Sequence, residues 1–334
     1  MRLVQITNPT QGRKVALVEE SQLLLLDQCT SIYHLALEAI ERKVSMRSLI
    51  RQYLSTRQLP YDNVYGHQSS WKLLPCFDHP SDPLHCMLSG TGLTHKASAE
   101  NRQQMHKAQE DAELTDSMKM YLMGVEGGRP SEGQAGVQPE WFYKGNGSLL
   151  RAHGESLQIP EYGNDGGEEP EIAGVYVNDK EGKPWRIGLT TANEFSDHVM
   201  ERQNYLYLAP SKIRNCSIGP ELVIDAPFQN LTGKVSVVRA GKTLWEKPIK
   251  SGEENMAHSL ANLEYHHFKY ANHRIPGQAH VHFFGADAFS FGEQVELADG
   301  DIMEVYWEGM GRPLRNRLAV SGQEESVFQV KQLS

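Results

Sequence analysis

Short apolar runs separated by turn residues open the chain. Leu3-Val4-Gln5-Ile6, Lys14-Val15-Ala16-Leu17-Val18 and Gln22-Leu23-Leu24-Leu25-Leu26 read as three strands. Ser31 stands where a helix N-cap belongs. Beyond it Ile32, Leu35, Ala36, Ala39 and Ile40, then Val44, Met46, Leu49 and Ile50, recur at near-helical spacing and predict one or two amphipathic helices laid on those strands. The result is a small α+β domain over residues 1–73. The stretch around Leu59-Pro60 and from Leu74-Pro75 to Pro83 reads as a linker into a larger domain over 74–334. Lys96 to Met123 holds no proline and is rich in Ala, Gln, Met, Glu and Lys, which favours helix. Gly124 to Pro139 is so rich in glycine that a mobile loop or lid is expected. From Trp141 onward short β-rich runs alternate with Gly, Asn and Asp, so the fold class is α+β, mainly β, with folded-over sheets.

Composition narrows the function. Forty-two acidic against 33 basic residues give a formal charge of −9 over 334 residues, and no Lys/Arg-rich run offers a nucleic-acid footprint. An anionic substrate would have to be met by a bound metal and a few placed cations. Cys29, Cys76, Cys86 and Cys216 are scattered without Cys-x-x-Cys spacing, so reduced, structural cysteines are expected. No stretch of about 18 apolar residues occurs and Met1-Arg2-Leu3-Val4-Gln5-Ile6-Thr7 is no secretion signal, so a cytoplasmic protein with no membrane partner is expected.

The chemistry concentrates in Glu168-Glu-Pro-Glu-Ile-Ala-Gly-Val-Tyr-Val-Asn178. Side chains at i and i+2 share a strand face, so Glu169 and Glu171 point one way while Pro170 points the other. Two adjacent carboxylates need a cation, and Mg2+ or Mn2+ suits oxygen ligands. The alternative is a solvated acidic turn. A further carboxylate follows in Ile187-Gly-Leu-Thr-Thr-Ala-Asn-Glu194-Phe-Ser-Asp-His198. Lys212 then stands among mostly uncharged neighbours, where burial would lower its pKa; a surface lysine is the plainer reading.

Ser89-Gly-Thr-Gly-Leu-Thr-His95, Trp141-Phe-Tyr-Lys144, Glu169-Pro-Glu171, Ala192-Asn-Glu194-Phe-Ser, Ser211-Lys212, Ser217-Ile-Gly-Pro220 and Glu304-Val-Tyr-Trp-Glu-Gly-Met-Gly-Arg-Pro-Leu-Arg-Asn-Arg317 agree in order with the motifs of a known family. On these, the stretch from about Leu74 to Val320 resembles the fumarylacetoacetate hydrolase (FAH) family. The resemblance implies an FAH-type folded β-sheet or β-roll catalytic domain, Mg2+ or Mn2+ held by Glu169, Glu171 and Glu194, and a homodimer acting on a small 2-oxo acid. It also implies catalytic roles for Lys212, His95 and His106, and substrate contacts at Ser89, Gly90, Gly285 and Ala286.

The departures bear on the reaction. Glu194 stands where members commonly have aspartate, Phe283-Phe284-Gly285-Ala286-Asp287 replaces Thr-Gly-Thr-Pro, and no His-x-x-Glu pair follows the first motif. That last absence favours enolisation over attack by water. The chain looks like the branch associated with sugar-acid catabolism, which implies a dehydratase, a carbon–oxygen lyase, of a 2-keto-3-deoxy sugar acid such as 2-keto-3-deoxy-L-arabinonate, through a metal-stabilised enolate. In that reading Lys212 or His95 removes the C3 proton, and the other, or His106, protonates the leaving hydroxyl. The nearest rival is a hydrolase cleaving a C–C bond of a 2,4-diketo acid. A binding-only sugar-acid sensor would keep the fold without turnover. His280-Val-His282 would suit a cupin-like metal barrel, yet lacks the following glutamate and histidine, so site-lining or core histidines are expected; His266 and His267, read as extended, would face opposite ways.

Overall fold

The computed structural model describes residues 1–106, 114–322 and 325–333. The opening strands are β1 (Arg2–Asn8), β2 (Gly12–Glu19) and β3 (Gln22–Leu26), followed by helices α1 (Ile32–Arg42) and α2 (Met46–Tyr53). Ser31 accepts a hydrogen bond from the His34 amide at the start of α1, and Lys43, in the left-handed region at φ 54°, ends it. Next come β4 (Leu54–Pro60), α3 (Tyr61–Tyr65), β5 (Lys72–Leu73), β6 (Cys86–Gly90), α4 (Lys96–His106) and α5 (Asp116–Gly127). The β-rich remainder runs β7 (Phe142–Asn146), β8 (Leu150–Arg151), β9 (Ser156–Ile159), β10 (Pro170–Asn178) and β11 (Pro184–Asn193). Helices α6 (His198–Gln203) and α7 (Leu208–Lys212) interrupt it before β12 (Cys216–Val223), β13 (Leu231–Arg239) and β14 (Lys242–Ser251). Helix α8 (Leu260–Phe268) and strands β15 (Ala279–Phe283), β16 (Ile302–Trp307) and β17 (Leu314–Val320) complete the order.

Two mixed sheets result. The larger has 12 described strands in the order β4-β3-β2-β1-β12-β11-β10-β15-β6-β7, with β5 and β8 attached to β1 and β12; the smaller runs β14-β13-β16-β17-β9. β10 and β12 are buried at every residue and so read as continuous apolar or shielded runs rather than alternating ones. The largest core cluster joins Leu3, Ile32 and Leu35 to Val175, Leu222 and Val281, so the N-terminal strands share a core with the large sheet. A separate cluster lies wholly within residues 4–73, where Val4, Ile6, Leu23, Tyr61 and Trp71 pack on the other face.

Of the stretch read as a linker, Leu59-Pro60 lies in β4, where Leu59 pairs with Leu23, and Leu74 to Pro83 runs between β5 and β6 outside the strands. Two expectations are revised. The glycine-rich stretch is tied down: α5 continues to Gly127, and the amide of Gly136 and the carbonyls of Gly136 and Val137 bond to Asn262 and His266 of α8. His266 and His267 therefore belong to a helix, not to extended chain. The four cysteines are free and buried, as expected, and no helix among the described residues is long and apolar enough to cross a membrane.

Candidate metal centre

One register decides the site. β10 pairs antiparallel with β11 so that Pro170 faces Asn193, and just outside the ladder the Glu194 amide donates to the Glu169 carbonyl at 3.0 Å. Glu194 thus arrives beside Glu169, while the strand alternation brings Glu171 to the same side. Ligand atoms of all three lie within 4.8 Å of one another and all three residues are buried. The chain leaves β11 through Phe195 at φ 54°, a costly conformation for an aromatic residue. It is held there by packing against Leu157, Met303 and Leu318 and by the Lys144 ammonium, which donates to its carbonyl at 2.6 Å.

The surroundings are a lattice of enclosed charges. Lys212 Nζ, 2.8 Å from both oxygens of Glu169, also lies 3.3 Å from Glu194 and 3.2 Å from Glu201. Arg102 bridges Glu140 and Glu201 at 3.3 Å each, and Lys144 lies 3.4 Å from Glu194. Glu171 accepts the Gly285 amide at 2.7 Å. Five carboxyls, four of them fully buried and Glu140 at 12% exposure, thus face three fixed cations, Arg102, Lys144 and Lys212. His198, whose pKa the hydrogen bond and charge of Glu169 raise against burial, adds positive character, yet carboxyls remain in excess, and the all-oxygen donor set of Glu169, Glu171 and Glu194 suits Mg2+ or Mn2+.

The pKa directions express the same imbalance. Burial, reinforced by Glu194 and Glu169, pushes Glu171 well above the carboxylate range, and burial with the charge of Glu169 pushes Glu194 up to about 8. Burial works against the charged form of Glu169 too, but Lys212 together with the hydrogen bonds of Glu194 and His198 outweighs it and holds that carboxyl well below the range. Lys212 departs from the expected lowering. Burial does favour its neutral form, yet Glu169, Glu194 and Glu201 prevail and keep it an ammonium.

Of the residues singled out from sequence, Glu169, Glu171, Glu194, Lys212, Gly285 and Ala286 line one small cavity, joined by Ser98, Arg102, Phe142, Glu201 and Phe289. Ser89 and Gly90 stand behind it on β6, where Ser89 bonds His282 at 2.9 Å and Gly90 lies against the Phe142 ring. His95 is buried and bonded to Thr94 at 2.9 Å; burial lowers its pKa to about 4, and its Nε2 has no partner. His106 ends α4, and its side chain lies outside the described residues. His280 and His282 do share a strand face, but they join His267 in a buried network, His267 Nε2 meeting His280 Nδ1 at 3.0 Å, and not a metal site.

Sequence reasoning assigned no role to Lys144, Arg102, Glu140, Glu201 or His198. His198 donates from Nε2 to Glu169 Oε1 at 3.0 Å, and Glu140 keeps one oxygen buried and unpaired at the backbone of Gly92, its pKa raised by burial against the pull of Arg102. The available signals were a lysine inside the apolar run Trp141-Phe-Tyr-Lys144 and a histidine closing Asn193-Glu-Phe-Ser-Asp-His198.

Known proteins share this architecture. 2-keto-3-deoxy-D-arabinonate dehydratase complexed with magnesium and 2,5-dioxopentanoate superposes with a TM-score of 0.70 at 19% identity, covering 97% of this chain and 100% of that one. The hexagonal crystal form of 2-keto-3-deoxyarabinonate dehydratase gives 0.71 at 19% identity over the same shares. The fold is of the FAH type. A 5-carboxymethyl-2-hydroxymuconate delta-isomerase from Mycobacterium smegmatis shares it more loosely, at 0.58 and 14% identity over 96% of this chain and 100% of that one. In sequence, the chain is 25% identical over 180 residues to a probable 2-keto-3-deoxyxylonate dehydratase of Haloferax volcanii, a match spanning 52% of this chain and 58% of that protein's length. No family model matches the chain.

Proposed function

We propose that the protein is a divalent-metal-dependent dehydratase, a carbon–oxygen lyase, of 2-keto-3-deoxy pentonates, with 2-keto-3-deoxy-L-arabinonate as the assigned substrate. The observation that carries this reading is the convergence of three buried glutamates within 4.8 Å in an enclosure short of positive charge. When bound, Mg2+ or Mn2+ supplies Lewis-acid polarisation of the carbonyl next to the substrate carboxylate. The FAH-type neighbours named as 2-keto-3-deoxy acid dehydratases support the same reaction class. A five-carbon acid with a keto group at C2 and a methylene at C3 keeps C4 as its one stereocentre, so arabinonate- and xylonate-derived acids of one hand are the same molecule. Hand at C4 is therefore the specificity to be tested.

The chain's own residues divide the proton work. Lys212, held as an ammonium, fits the donor to the leaving C4 hydroxyl. His95, neutral with a free Nε2, and Glu140, with a free oxygen beside Gly92 of the cavity lining, are the groups able to take the C3 proton. Arg102 and Ser98, one turn apart on α4, present donors to the sugar-acid hydroxyls. The decisive experiment incubates the protein with 2-keto-3-deoxy pentonates of both C4 hands and with a 2,4-diketo acid, with Mg2+ or Mn2+ and with EDTA, and follows products by mass spectrometry. Loss of one water from a pentonate, abolished by EDTA, is the expected result. Cleavage of the diketo acid into two fragments with the pentonates untouched would establish the C–C hydrolase instead.

A further inference from the structure

Glu169 is held by groups of two kinds. Lys212 reaches both of its oxygens at 2.8 Å, whereas His198 Nε2 reaches Oε1 alone at 3.0 Å. The imidazole's seat is made by packing. Its ring stacks on Phe289 with centroids 4.7 Å apart and planes 9° apart, Phe291 closes in at 5.2 Å, and a Cβ on Gly167 would stand 2.5 Å from Nδ1. Nδ1 is buried without a partner, so the single side-chain hydrogen bond of this ring goes to Glu169. Buried histidines that serve the fold are normally bonded at their polar atoms. This one leaves Nδ1 unpaired and directs its donor at a carboxylate of the metal centre, the arrangement by which outer groups orient metal ligands.

We infer that His198 is a positioning residue for the ion. It fixes Oε1 of Glu169 so that the carboxylate keeps its place when a cation displaces Lys212, and Phe289, which also lines the cavity, fixes His198 in turn. The inference rests on the reading of Glu169, Glu171 and Glu194 as a metal site. The test is a titration of the full-length protein with Mn2+, reading free Mn2+ by electron paramagnetic resonance, for the wild type, His198→Ala, His198→Gln and Phe289→Leu. Melting in EDTA reports folding separately. His198→Ala should weaken Mn2+ binding by about 10- to 100-fold. His198→Gln, whose amide restores a donor at the Nε2 position, should recover most of that loss, and Phe289→Leu should fall between the two. If His198→Ala fails to fold, the ordering of the other two variants decides. Wild-type affinity in every folded variant overturns the positioning role while leaving the metal site standing. A wild type that binds no Mn2+ overturns the metal reading and this inference together.

Discussion

Loading the three glutamates with a divalent ion should expel protons, and Glu194 sets the number. Burial and the charge of Glu169 push its pKa up to about 8. A carboxyl of that pKa is roughly nine-tenths protonated at pH 7, and a metal ligand must be deprotonated, so binding at pH 7 releases about one proton from Glu194 alone. Glu171, raised in the same direction by burial and by Glu194, adds to it. Apparent Mn2+ affinity should rise about tenfold per pH unit for each proton released, with the share from Glu194 levelling off above about pH 8. Calorimetric titration at pH 7 in buffers of different ionisation enthalpy measures the proton count directly, and Glu194→Gln should remove about one proton from it while weakening binding. Stability follows the same sign. A carboxyl whose folded pKa lies above its ordinary 4.5 contributes stability that is fully present below about 4.5 and is lost as pH rises through about 8, so in the ion-free protein Glu194→Gln should raise the melting temperature relative to wild type by more at pH 8 than at pH 5. Heats independent of buffer, with affinity flat from pH 6 to 9, would show that the three carboxyls are already ionised and refute the reasoning.

Other outcomes are equally specific. Lys212→Met leaves Glu169, Glu194 and Glu201 without their shared cation, and should cost about 3–5 kcal/mol in EDTA by denaturant unfolding, part of it restored by Mg2+, with turnover abolished. Gly285→Ala places a Cβ 2.1 Å from Thr94 Oγ1 at a φ of +99°, so the loop that donates to Glu171 must shift; metal affinity and turnover should both fall, read by calorimetry and product assay. His282 is buried and its pKa lowered by burial to about 3, so stability is full above its ordinary 6.5 and is lost as pH falls toward 3; the loss from this imidazole at pH 5 is about 2 kcal/mol, and His282→Gln should remove that share of the acid sensitivity in urea titrations at pH 7 and pH 5. For the proposed division of the chain at residue 73, a fragment spanning 74–334 should prove insoluble when expressed alone but soluble when 1–73 is supplied in trans, because the shared core and the β1–β12 pairing are removed.

The parts legible in the sequence were those set by local periodicity. The three opening strands, the Ser31 cap and the helices from Ile32 are found where spacing and capping put them. The three glutamates were also within reach, since a period of two and one hairpin register suffice to bring them together. Lys212 shows where such reading stops. Its chain neighbours are mostly uncharged, but its spatial neighbours Glu169, just before β10, Glu194, just after β11, and Glu201 of α6 reverse the direction of its pKa. Arg102 and Glu140 were hidden for the same reason: each is a single charge in an ordinary helix or loop until the fold pairs them. His266 and His267 were misread because a short run cannot distinguish period 2 from 3.6.

The placement of β1 against β12 has a consequence for synthesis. Leu3 pairs with Leu222, so at ribosomal rates of about 5–20 residues per second the first strand waits on the order of 10–40 seconds for its partner to be made. During that interval one flank of the nascent sheet carries an unsatisfied edge. The cluster confined to residues 4–73 can close at once and shelter one face, while on the other face Leu3, Val15 and Leu17 have only α1 and α2 to cover them until the central strands emerge. Holding chaperones acting on the nascent chain would therefore be needed most before residue 223 has left the exit tunnel, and least after it.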